Sequence, residues 1–119
     1  MGIGSIAFVV MDTQDPDRIV PFWCTVLGVE EDTRVGGDQF VLLQASEGAP
    51  PIAFQKVPEG KSIKNRMHLE IAVEDLDIAK AQILEIGGSV LSDVYELEGY
   101  FWINVADPES HEFDISVGG

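Results

Sequence analysis

The sequence predicts an α+β protein of two tandem βαβββ modules that form a curved mixed sheet around a cup. Three observations lead there. Asp15-Pro16-Asp17, an apolar run and Leu27-Gly28 recur sixty residues on as Asp75-Leu76-Asp77, a second apolar run and Gly87-Gly88. A duplication of this size implies one body assembled from two like supersecondary units. A β-branched stretch precedes each copy (Ile6 to Met11 and Leu69 to Val73) and alternating stretches follow it, the period of two expected of half-buried strands. Leu76, Ala79, Ile83 and Ile86 are spaced 3, 4 and 3, which puts them on one stripe of a helix. The modules are expected over residues 5–57 and 67–117, with a linker over 58–66, all within one domain of residues 1–119. Asp15 and Asp75 should sit at equivalent helix starts, and Gly28 and Gly88 at equivalent ends.

The elements follow in order. Ile6 to Met11 reads as a strand, then Asp15 as N-cap and Pro16 at the first helical position, a favoured pairing because Pro has no N–H to lose there. The helix should run to Leu27 and stop at Gly28, with Pro21 removing one internal hydrogen bond. Val29 to Arg34 and Gln39 to Gln44 read as a hairpin turned at Gly36-Gly37-Asp38, and Ile52 to Val57 as the fourth strand. The second copy begins at His68 to Val73, continues through the Leu76 helix to Gly87, and ends in strands over Val90 to Leu97, Tyr100 to Val105 and Glu112 to Val117. Their turns are Glu98-Gly99 and Asp107-Pro108-Glu109-Ser110.

Composition narrows the function classes. Of 119 residues, 45% are apolar and 24% charged, ordinary for a chain that buries its own core. Seven Lys and Arg against 21 Asp and Glu give a net charge of −14. That argues against nucleic acid and anionic membrane, whose phosphates require clustered positive charge; such acidity most often serves solubility, and the sharper reading is attraction of a cationic ligand. Four of the seven basic residues, Lys56, Lys61, Lys64 and Arg66, cluster around the module junction, where they are expected to dock on the acidic body. No run approaches the ~20 apolar residues of a membrane helix, and Met1-Gly2-Ile3-Gly4 has no basic n-region; a cytoplasmic protein is expected. Cys24 stands alone and reads as a small buried hydrophobe.

Alternation assigns faces. With Leu69, Ile71 and Val73 under the helix, His68, Glu70 and Ala72 point to the open face. By the same rule Tyr100, Trp102 and Asn104, and Glu112, Asp114 and Ser116, join them. The first module's open-face set is Phe8, Val10, Ala53 and Gln55. Apolar walls with a few converging polar groups are how small-ligand sites are built. His68 is the best acid–base candidate because imidazole titrates near neutrality, although a hydrogen-bonded strand histidine accounts for it equally well. Asp114 has the alternative of pairing with Arg66 or a linker lysine. His111 is expected at the exposed surface of its turn, and Glu30, Glu31 and Asp32 as a solvated charge run.

The paired modules, Asp15-Pro16 leading to Phe22-Trp23 and Leu27-Gly28, the stretch Phe54 to Glu59 with Lys61, Lys64-Asn65-Arg66 and His68-Leu69-Glu70, and the closing Asp107-Pro108-Glu109-Ser110-His111-Glu112-Phe113 resemble the vicinal oxygen chelate superfamily of glyoxalases, bleomycin resistance proteins and extradiol dioxygenases, and its glyoxalase-like branch in particular. The resemblance implies metal ligands at Phe8, Gln55, His68 and Asp114. His68 and Asp114 are of ligand type, Gln55 is a neutral oxygen donor, and Phe8 cannot coordinate. That set is short for tight Zn, Ni or Mn, while a His with one or two carboxylates and open water positions can hold Fe(II); Glu70 or Glu112 could add a carboxylate. One divalent ion (Fe, Zn, Ni or Mn) or none is therefore expected. The resemblance further implies a homodimer that binds a small organic molecule between its modules, against Phe8, Gln55, Tyr100, Trp102 and Asn104. Were it an enzyme, it would be a lyase, isomerase or dioxygenase in which His68 or Glu70 moves the proton. The alternative is a bleomycin-resistance-type protein that sequesters a cationic drug without chemistry.

Overall fold

The structure is a computed structural model that describes every residue except Met1, Ile3, Gly4, Lys64, Arg66 and Gly119. Arg66 as a partner of Asp114, and two of the four clustered cations, therefore lie outside the described residues. The fold is α+β, with two βαβββ modules as expected. The chain divides into two compact units, residues 1–60 and 61–119.

Module one comprises β1 (Val9–Thr13), α1 (Pro16–Leu27), β2 (Glu31–Val35), β3 (Phe40–Leu43) and β4 (Ile52–Lys56). Its sheet has the order β1-β4-β3-β2, with β1 parallel to β4 and the remainder antiparallel. The first strand lies later than its apolar run suggests: Ile6 and Phe8 are 73% and 43% exposed and precede the ladder. The core of this module gathers Ile19, Phe22 and Trp23 from α1 and Val41, Leu43 and Phe54 from the sheet, all 3% exposed or less. Cys24 is half-buried rather than buried; desolvation, reinforced by Glu31 and Glu30, pushes its thiol pKa up, so it is a poor nucleophile. Arg34 bonds Glu31 at 2.9 Å and Asp17 at 3.1 Å, so Glu31 is an ion-pair partner and not merely part of a solvated run.

Module two comprises β5 (Glu70–Ala72), α2 (Leu76–Glu85), β6 (Ser89–Val90), β7 (Tyr95–Leu97), β8 (Tyr100–Ala106) and β9 (Glu112–Gly118). Its sheet runs β5-β9-β8-β6, with β7 also on β8, and β5 is parallel to β9. The expected single strand from Val90 to Leu97 is broken in two. The cause is Ser92, whose Oγ accepts the Asn104 N–H at 3.0 Å and so replaces a backbone carbonyl in the ladder. Beyond the break, Glu98 and Gly99 both have positive φ, 51° and 85°, the two-residue turn whose twist suits a hairpin. It sets the register Leu97↔Tyr100 and Tyr95↔Trp102.

The helix ends correct the repeat by one residue. Gly28 (φ 66°) is left-handed and Val29 N–H bonds Cys24 C=O at 3.1 Å; in module two Gly87 (φ 99°) is left-handed and Gly88 N–H bonds Ile83 C=O at 2.9 Å. Gly87, not Gly88, is thus the counterpart of Gly28. Gly88 is required for another reason: a Cβ there would sit 2.6 Å from Ile83 Cγ2 and 2.8 Å from Ala106 C=O, so only glycine lets α2 approach β8 this closely.

Candidate functional site

The site residues of module two are brought together by the pairing of three neighbouring strands. On β9, Asp114 stands opposite Glu70 of β5 on one side and Asn104 of β8 on the other; Ser116 stands opposite Ala72 and Trp102. Directly paired positions share a face, and the hydrogen bonds follow this pattern. Asn104 Nδ2 donates to Asp114 Oδ1 at 3.1 Å. His68, two residues before Glu70, brings Nε2 to 3.3 Å from Asp114 Oδ2, with the His68 side chain half exposed and that of Asp114 12% exposed. Tyr100, opposite Gly118, leans over the diagonal neighbour Ser116. Its hydroxyl donates to the Glu70 carboxylate and lies 2.9 Å from Ser116 Oγ.

One ligand atom from each of His68, Glu70 and Asp114 lies within 4.8 Å of the others, and among the described residues this cluster is the one able to hold a metal ion. Its donor chemistry fits a divalent cation. Two carboxylates face each other across adjacent strands, an arrangement that like-charge repulsion disfavours and that a cation between them would relieve. One imidazole with two carboxylates is a set suited to Fe(II) or Mn(II).

The cluster borders a pocket of about 240 Å³ lined by Asn65, His68, Tyr95, Trp102, Asn104, Glu112 and Asp114. Its aromatic wall is a stack: the Tyr95 and Trp102 ring centroids are 5.5 Å apart at 27°, and the Tyr100 ring is 5.9 Å from Trp102, tilted at 38°. Lys61 reaches Glu112 at 3.8 Å and Asn65 Oδ1 accepts the Glu112 N–H at 3.3 Å, so a junction lysine docks on an acidic residue here.

Phe8 and Gln55 belong to module one. Phe8 is exposed ahead of β1, and Gln55 is half-buried on β4 opposite Asp12 and Phe40. Ala53 stands opposite Val10, which is 52% exposed, and so shares its face, although Ala53 itself is only 5% exposed. His111, expected to be exposed, is half-buried; that burial pulls its pKa down, with Lys61 adding to the effect and Asp107 and Glu112 opposing it. The residue that sequence reasoning passed over is Tyr95. Its signal was the Glu98-Gly99 turn, since counting back from a two-residue turn places residue 95 against residue 102.

The chain belongs to the glyoxalase-like domain family, whose sequence pattern matches residues 8–116. Among solved structures it is similar to the fosfomycin resistance protein FosX from Listeria monocytogenes, at 14% identity and a TM-score of 0.80 with 99% of this chain and 96% of that one covered. A mutant of that protein in complex with Mn(II) and 1S,2S-dihydroxypropylphosphonic acid gives 15% and 0.81 over 99% and 93%. A glyoxalase/bleomycin resistance protein/dioxygenase family enzyme from Burkholderia phytofirmans gives 21% and 0.70 over 93% and 96%. At these identities the likeness is one of fold. No functionally curated protein matches the chain significantly in sequence.

Proposed function

We propose that the protein binds a small organic molecule in the module-two pocket against Trp102, anchored by one divalent ion held by His68, Glu70 and Asp114. The observation that carries this reading is the convergence of those three side chains at the edge of an aromatic-walled pocket. Such an ion, when bound, polarises substrate oxygens as a Lewis acid. The residues themselves do the rest. Trp102 and Tyr95 present an apolar face to the body of the ligand and Asn104 orients Asp114; only without the ion is His68, half exposed, free to accept or return a proton at the pocket rim. The proposed set lies in module two, so this reading expects Mn(II) to bind without Gln55. The reading is a cytoplasmic protein, in keeping with its free Cys24, and a homodimer of the kind the family resemblance implies. Its chemistry, where it has any, is of the lyase, isomerase or dioxygenase type.

A second reading is supported by the carboxylates beside a stacked indole: sequestration of an organic cation without turnover, through charge and cation–π attraction. Tryptophan fluorescence separates the two, because Trp23 is fully buried and the accessible signal belongs to Trp102. The full-length protein is titrated with Mn(II), then with catechols, the methylglyoxal–glutathione adduct, fosfomycin and bleomycin, each with and without metal. The anchored reading expects metal-dependent quenching by an oxygen-rich ligand, loss of Mn(II) binding in His68→Ala, and none in Gln55→Leu. Metal-independent, saturable bleomycin binding without turnover would replace it with sequestration. In either case Trp102→Ala should weaken ligand binding by about 1–3 kcal/mol.

A further inference from the structure

We propose that Tyr100 and Asn104 are positioning residues that fix Glu70 and Asp114 as metal ligands, so that strand β8 governs the affinity and hydration of the site. The inference rests on the metal reading above. A carboxylate has two oxygens, and a free one can rotate, bind both oxygens to an ion or swing away. Here each has one oxygen engaged by a donor from β8: Asp114 Oδ1 by Asn104 Nδ2 at 3.1 Å, and Glu70 Oε2 by the Tyr100 hydroxyl. Asp114 Oδ2 is thereby left as the oxygen that faces His68 Nε2 at 3.3 Å. Donors behind ligating carboxylates orient them and tune the metal.

The two donors act independently, because they serve different carboxylates on different strands. They are also braced separately. Asn104 Nδ2 has a second acceptor in Phe113 C=O at 3.4 Å, and the Tyr100 oxygen, its one proton given to Glu70, accepts from the Ser116 hydroxyl at 2.9 Å. Positions 100, 102 and 104 alternate on one strand face, so β8 supplies both donors and, between them, the indole of the pocket wall. Within this geometry the donors restrict each carboxylate to one coordinating oxygen, which leaves open positions on the ion for water or ligand.

The test uses the full-length chain and Mn(II) alone, with affinity read from the electron paramagnetic resonance signal of free Mn(II) and bound waters from water-proton relaxation. Wild type, Tyr100→Phe and Asn104→Leu are compared, with the melting temperature of each metal-free protein measured alongside. The proposal expects each variant to bind Mn(II) at least about 10-fold more weakly and to change the number of bound waters, while the metal-free proteins melt near wild type. Unchanged affinity and hydration in both variants, with wild type binding normally, would overturn it and leave the metal reading intact. Affinity that falls only in step with melting temperature, at constant hydration, would also overturn it, since that is the signature of a structural role. Failure of wild type to bind Mn(II) removes the metal reading itself.

Discussion

Burial lowers the proton affinity of His111 in the folded state, and the sign of the consequence can be worked out. The unfolded chain holds this imidazole at its ordinary pKa of about 6.5 and therefore takes up the proton first as pH falls. Stability associated with neutral His111 is complete above that value and is lost as pH drops through it toward the lower folded pKa. The midpoint of urea unfolding should fall from roughly pH 7.5 to 5, and His111→Gln should flatten that fall; a variant with the same slope as wild type would assign the effect to the carboxylates. Alternation along the strand was enough to place Glu70, Asp114, Tyr100 and Asn104 on one face, because strand parity is local. The burial of His111 was not readable in this way. It depends on Asp107, whose Oδ1 accepts the N–H groups of Glu109 and His111, both at 2.9 Å, and folds the turn inward.

At the level of elements, the duplication is clear in pattern but unequal in detail. Asp75 caps α2 through its side chain, which accepts the Ile78 N–H at 3.0 Å, whereas the Asp15 side chain makes no capping bond. Asp15 instead receives help: its own N–H is taken by Thr13 Oγ1 at 3.0 Å, and Pro16 needs no partner for a missing N–H. Asp75→Ala should therefore cost about 1 kcal/mol and Asp15→Ala markedly less, measured by denaturant unfolding. Equal losses would show that charge near the helix start, rather than the capping bond, is what the repeat retains. Helix starts and stops were legible because capping chemistry uses particular residues at particular positions. The break between β6 and β7 was not, since a serine in an apolar run interrupts a ladder only when a partner N–H arrives to meet it.

Over the full chain, a net charge of −14 sets a negative potential that would favour the proposed cation. Screening weakens that attraction as the Debye length shrinks from roughly 20–30 Å in dilute buffer to a few ångströms near 1 M salt. Mn(II) affinity should accordingly fall several-fold between roughly 0.02 and 0.5 M NaCl, followed by titration at constant pH; affinity indifferent to salt would mean that the local ligands alone hold the ion. Across the described residues no helix is long and apolar enough to cross a membrane, in line with the absence of such a run in the sequence.

The sequence by itself determined the α+β class, the two βαβββ modules, the ends of α1 and the face on which the polar residues stand. Each of these follows from periodicity or from backbone chemistry within a few residues. Which of those residues come together depends on strand pairing over longer range. Glu70 meets Asp114 because β5 lies parallel to β9, Asn104 meets it because β8 lies antiparallel on the other side, and Tyr95 reaches Trp102 through the hairpin register. These pairings join residues up to 44 positions apart, and no local pattern encodes them; they are set by the burial of Ile103, Val105, Phe113 and Ile115, each 1% exposed or less, on the opposite face of the same strands.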